Sequence, residues 1–202
     1  MLVELPTNSP DVYRQIREMT ADFAREQIRP QAERLDRNEE FPVELFNQMA
    51  ELGLFGVTIP GEYGGGGVDC YGYAIVMEEL SRGYSSVADQ CGLVELVSSL
   101  IYQYGTEAQK DKYLRPITGF QTKVAYCLTE AEAGSDLSAI KTTARPVGAG
   151  WKLDGAKLWI NNAPLADIGL VLAGTDPDKG HRGRSVFFGD LVARGVRRGR
   201  AG

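Results

Sequence analysis

The chain has 202 residues but a single histidine, His181, and its three cysteines, Cys70, Cys91 and Cys127, form no Cys-x-x-Cys pair. One histidine without paired cysteines leaves no metal motif, and none is expected. His181 sits in a polar loop and reads as a solvated residue. The opening MLVELPTNSP has neither a basic n-region nor an apolar h-region. With an odd thiol count, this reads as a reducing, cytoplasmic setting. No run approaches the ~18 apolar residues of a membrane span. Basic residues number 22 against 27 acidic, a net charge of −5, which has the wrong sign for a nucleic-acid binder. No βαβ alternation occurs, which argues against a dinucleotide-binding Rossmann unit.

What remains is an ordinary globular composition, 43% hydrophobic and 24% charged. The first half reads as helices. Ser9 before Pro10 is a cap followed by proline in the first turn, and Val12, Ile16, Met19 and Phe23 form an apolar stripe. Pro30 kinks or ends that helix. A second helix is predicted from about Pro42 to Leu52, with Val43, Phe46, Met49 and Leu52 inward and Gly53 as its stop. Asp69 caps a third helix carrying Ala74, Met77 and Leu80. A fourth starts at Ser85 or Ser86 and runs to about Tyr104. Thr106 and Gln109 fit a capping box for a fifth, expected to end near Arg115 because Pro116 follows.

Beyond Pro116 the period changes. Segments 123–128, 141–147, 151–160, 168–174 and 185–189 are short, rich in β-branched and aromatic residues, and separated by glycine, asparagine and aspartate. That spacing suggests an antiparallel sandwich or barrel, with Gly148-Ala-Gly150 as a hairpin turn. The expected class is α+β. A helical domain spans residues 1–120, a β domain 121–190, and a basic tail 191–202 with four arginines and no acid. The tail's Gly/Ala/Val/Arg mix shares GC-rich codons, which fits a frameshift or premature stop; the alternative is a basic tail for an acidic partner or nucleic acid.

Three segments carry candidate chemistry. Gly64–Gly67 lacks the Lys-Ser or Lys-Thr of a P-loop and reads as a flexible connection. In Tyr126-Cys-Leu-Thr-Glu-Ala-Glu-Ala-Gly-Ser-Asp136, a strand runs into a turn whose bare N–H groups and hydroxyl can cradle an anion such as a pyrophosphate. The same turn also suits an ordinary strand ending closed by a local aspartate bond. In Lys157-Leu-Trp-Ile-Asn-Asn-Ala163, a strand would turn Lys157, Trp159 and Asn161 to one face. There the tryptophan could lie on a flat heterocycle, or simply half-bury itself on a sheet.

Together these segments resemble the acyl-CoA dehydrogenase family over about residues 9–190. IPGEYGGGG resembles the family's Ile-Pro-Glu-Glu-Tyr-Gly-Gly loop, and YGTEAQKDKYL its Gly-(Ser/Thr)-Glu-x-Gln-Lys segment. YCLTEAEAGSD resembles Tyr-Cys-Leu-Thr-Glu-Pro-x-Ala-Gly-Ser-Asp, and LDGAKLWINNAPLAD the Gly-x-Lys-x-Trp-Ile-(Thr/Ser)-Asn segment. The resemblance implies a helical N-terminal domain, a β middle domain and a helical C-terminal domain. It implies non-covalent FAD, oxidation of acyl-CoA thioesters to 2,3-enoyl-CoA, and transfer of electrons to electron-transferring flavoprotein.

By motif position, Tyr126, Leu128, Thr129, Gly134 and Ser135 would line the flavin and acyl-CoA cleft. Leu128 and Thr129 would face the flavin's pyrimidine edge, and Ser135 would serve the FAD pyrophosphate or the CoA chain. Trp159, Ile160 and Asn161 would sit by its dimethylbenzene and N5 side. Ala131 stands where the family has proline, and Asn161 where it has a hydroxyl residue. The family's catalytic base is a glutamate of the C-terminal domain, so no catalytic residue is assigned within these 202 residues. The β domain is expected to be incomplete and the chain alone inactive, with the full-length form a homo-oligomer. A same-fold acyl-CoA oxidase or flavin monooxygenase, or a non-catalytic binding module, are the competing expectations.

Overall fold

The computed structural model describes residues 8–199. The chain divides between Gln121 and Thr122 into two compact units, one helical and one built on a sheet. Arg200, Ala201 and Gly202, the end of the basic tail, lie outside the described residues.

The helical unit begins with α1 (Pro10–Phe23), where the Ser9 hydroxyl accepts the Val12 N–H as expected. The helix then loosens into a π turn (Ala24–Ile28) and a 3-10 turn (Arg29–Gln31) at Pro30, and resumes as α2 (Ala32–Asn38). The buried face of α1 uses Thr20 and Phe23, while Met19 is exposed. In α3 (Val43–Glu51) the stripe is Leu45, Phe46 and Met49; Val43 and Leu52 face solvent. Asp69 caps α4 (Cys70–Gly83), accepting the Gly72 N–H at 2.9 Å. Its inward face is Ile75, Val76 and Leu80, with Ala74 exposed. Next come α5 (Ser85–Tyr104) and α6 (Glu107–Thr118), the latter opening on the Thr106–Gln109 capping box.

Helix α6 runs through Pro116 to Thr118 rather than stopping at Arg115. Proline forfeits one helical hydrogen bond. Leu114 and Ile117, both fully buried in that last stretch, offset the loss. Phe120 follows, stacked on Phe55 at 5.4 Å and edge-on to Phe46 at 5.6 Å.

The Gly64–Gly67 loop is firmly tied, contrary to expectation. The N–H groups of Gly65, Gly66 and Gly67 donate to the carbonyls of Pro60, Gly56 and Ile59. A β-carbon at Gly65 would lie 2.1 Å from the Ile59 carbonyl oxygen, so only glycine allows this approach. With their donors committed to the chain, these glycines do not form a phosphate cradle.

The second unit holds one open five-stranded sheet: β1 (Val124–Cys127), β2 (Thr143–Val147), β3 (Gly150–Asp154), β4 (Ile168–Gly174) and β5 (Arg184–Asp190). The helical-then-β order is as expected, but the sheet is neither closed nor wholly antiparallel. β4 pairs with β1 in parallel and with β5 antiparallel, and β2 meets β4 only at Thr143–Gly174. A parallel pair needs a long connection. The β2–β3 hairpin, turning at Gly148 with φ +59°, lies within the one from β1 to β4. The expected strand 151–160 stops at Asp154.

Ala125, Cys127, Ala166 and Val171 form the small core, with Leu153, Ile160 and Leu191 packed on it. Leu191, the first residue of the basic tail, also donates its N–H to Asp167. Arg198 reaches back to the carbonyls of Pro164 and Ala166.

Candidate functional site

The site is built at the end of β1. Tyr126 is half-buried, and burial pushes its phenol pKa up. Leu128 and Thr129 are half-buried beyond it, and Glu130 is buried. A tight turn then closes with Glu130 N–H to Ala133 O at 2.9 Å and Ala133 N–H to Glu130 O at 3.2 Å. Ala131 sits in that turn without disturbing it. Gly134 and Ser135 follow on the exposed side, with open space around Gly134. Asp136 accepts the Ser138 N–H at 2.8 Å, and bonds to Ser138 hold its carboxyl below the usual range. The local aspartate bond of an ordinary strand ending is therefore present, beside an exposed Gly-Ser pair.

The second segment comes alongside as a strap, not a strand. Leu158 donates its N–H to Thr129 O at 2.9 Å. Lys157 Nζ donates to Leu128 O at 2.9 Å and to Glu130 Oε1 at 2.7 Å. Trp159 has φ +55° and is 90% exposed. Ile160 packs on the sheet core, Asn161 is exposed, and Asn162 is buried with φ +65°. Asn162 Nδ2 donates to Val124 O at 3.2 Å, at the start of β1.

Lys157 and Trp159 therefore do not share a face, as an extended strand would require. The lysine goes inward and the indole outward, with Trp159 itself in the left-handed region. The structure brings Leu128 and Thr129 together with Trp159 across the Leu158–Thr129 bond. Gly134 and Ser135 stand apart from this clamp, on the exposed turn beyond Ala133.

Sequence reasoning assigned no role to Glu130 or Lys157, although both lie inside the quoted motifs. Burial pushes the Glu130 pKa up, but hydrogen bonds from Lys157, Thr142 and the Lys141 amide outweigh it and hold the carboxyl at about 2. No local signal singled them out: Glu132 and Asp136 stand close to Glu130, and nothing in the sequence pairs Glu130 with Lys157. Among the described residues no cluster of histidine, cysteine or acidic groups could hold a metal, and no helix is long and apolar enough to cross a membrane.

Comparison with known proteins places both units in one family. The acyl-CoA dehydrogenase N-terminal domain matches residues 10–120, and the middle domain of the same family matches 125–202. A 3-(aryl)acrylate reductase of Clostridium sporogenes is 41% identical, over 90% of this chain and 48% of its own. Subunit CarC of the caffeyl-CoA reductase–Etf complex of Acetobacterium woodii is 39% identical, over 92% of this chain and 49% of its own. The solved acyl-CoA dehydrogenase of Bacillus anthracis, complexed with FAD, superposes with a TM-score of 0.84 at 35% identity, covering 96% of this chain and 33% of that one. The chain spans about half the length of the curated relatives it matches. Matches to two successive domains of one family, in order, establish that the chain belongs to the acyl-CoA dehydrogenase family.

Proposed function

We propose that this chain supplies the helical and flavin-facing domains of an FAD-dependent acyl-CoA dehydrogenase, an enzyme that removes hydrogen from the α and β carbons of an acyl-CoA thioester. The observation that carries the reading is the Leu158–Thr129 bond, which sets the two motif segments side by side with the Trp159 ring in solvent. A large aromatic side chain gains nothing by itself from such exposure in a disfavoured conformation. It does gain by covering a flat apolar ligand. The open space at Gly134 leaves room for a diphosphate close to backbone.

The residues thus fit FAD, which when bound supplies the hydride acceptor. Trp159 covers one side of the ring system, with Ile160 and Asn161 beside it. Leu128 and Ile160 exclude water from the hydride path. Leu128 and Thr129 face the pyrimidine edge, where fixed N–H and O–H donors stabilise the negative charge that develops there, and Tyr126 lines the cleft. Gly134 and Ser135 hold the pyrophosphate, and Ser135 also serves the CoA chain. None of these residues takes the α-proton.

Electron-transferring flavoprotein is the electron partner; the A. woodii relative, named as part of an Etf complex, supports this. The protein works as a homo-oligomer in the cytoplasm, a setting in which the three free thiols of this chain stay reduced. The reading is tested by titrating the purified chain with FAD while following tryptophan emission. Saturable quenching that Trp159→Ala removes is expected. Quenching unchanged by that substitution would overturn the assignment.

A further inference from the structure

The most deeply buried charges among the described residues of the β unit have no part in the chemistry just proposed. The side chains of Lys157 and Glu130 are 10% and 5% exposed, with Nζ 2.7 Å from Oε1. Such a pair adds little net stability, because desolvating two charges costs about as much as their attraction returns. Its value lies in what it fixes. The carboxylate is fully engaged: Oε1 also accepts the Thr142 N–H at 3.1 Å, and Oε2 accepts the Lys141 N–H at 2.6 Å. The lysine's other bond goes to Leu128 O. One cation therefore ties the buried carboxylate to the carbonyl just past β1, and the next residue, Leu158, bonds Thr129.

Trp159 comes next. Its ring has almost no packing of its own, and its backbone is in a conformation that bulky residues disfavour. Its flanks must hold it. On the C-terminal side Asn162 bonds Val124; on the N-terminal side the anchor is Lys157. We infer that Lys157 and Glu130 are positioning residues whose ion pair holds Trp159 beside Thr129 as one preorganised flavin-facing edge, an inference that rests on the flavin reading above. They touch neither flavin nor substrate in that assignment and act through Leu128, Leu158 and Trp159. The bonds from Lys157, Thr142 and the Lys141 amide hold the Glu130 carboxyl well below the usual range, at about 2.

The test uses the Trp151→Phe chain, in which Trp159 is the sole tryptophan. Anisotropy of its emission is measured without FAD, and FAD is then titrated. The comparison set is the parent pair, Lys157→Arg, and the double variant Glu130→Gln/Lys157→Met. The double variant strands no buried charge, so its far-UV circular dichroism should be preserved. Its anisotropy should drop and its FAD affinity weaken about tenfold, while Lys157→Arg retains most of the parent anisotropy. A double variant with parent anisotropy would overturn the inference. So would one that unfolds, since the pair would then be structural. A parent chain whose emission FAD does not quench would defeat the flavin reading instead, leaving the anisotropy to decide whether the pair positions Trp159.

Discussion

Leu158 donates its backbone N–H to the carbonyl of Thr129 at 2.9 Å, joining the strap that carries Trp159 to the end of β1. That bond turns two motifs distant in sequence into one edge. Its neighbours on either side, the Lys157–Glu130 pair and Asn162, make several of its consequences measurable.

Trp159→Gly should raise stability by about 0.5–1 kcal/mol, since glycine accepts φ +55° and little packing is lost. FAD binding should weaken in the same variant. A thermal melt together with an FAD titration checks both; equal affinity would remove the ring from the site.

Asn162→Ala should cost about 2 kcal/mol. It deletes the bond to Val124 O and places a β-carbon residue without local hydrogen bonding at φ +65°. Urea denaturation followed by tryptophan emission reports the loss. A change under about 0.5 kcal/mol would mean that the strap is held without this bond.

Stability of the β unit should fall with acid in a defined window. Glu130 is held at about 2 in the fold against an ordinary value of 4.5. A lowered carboxylate pKa contributes stability that is fully present above 4.5 and is lost as pH falls towards 2. Glu130→Gln should therefore flatten the pH dependence across that window, while lowering stability at pH 7 by leaving Lys157 unpaired. Parallel slopes for the two proteins would show that other groups govern acid unfolding.

Gly65→Ala should destabilise the helical unit by at least about 2 kcal/mol, because the new methyl would fall 2.1 Å from the Ile59 carbonyl oxygen. Chemical denaturation of the variant is the check. A neutral outcome would mean that the loop shifts freely, as the sequence reading supposed.

The three thiols should react in two classes. Cys70 is exposed, while Cys91 and Cys127 are buried, and burial raises both of their pKa values, Cys127 to about 11. A chromogenic disulfide at pH 8 should modify one thiol quickly in the native chain and all three in denaturant.

The sequence by itself determined the order of helical unit and β unit, the caps at Ser9, Asp69 and Thr106, the Gly148 turn, and the motif residues. These depend on short-range rules: a hydroxyl or carboxylate meets an N–H two or three residues on, and glycine accepts a positive φ. Tertiary structure alone decided the rest. Pro116 stays helical because Leu114 and Ile117 find a buried environment that local propensity cannot see. β1 pairs in parallel with β4 because its partner lies beyond an intervening hairpin. Trp159 faces solvent and Lys157 the interior because a carboxylate and a carbonyl close to the end of β1 wait for the ammonium. A charge is buried only where its partner has been placed, and placing that partner is a property of the whole fold.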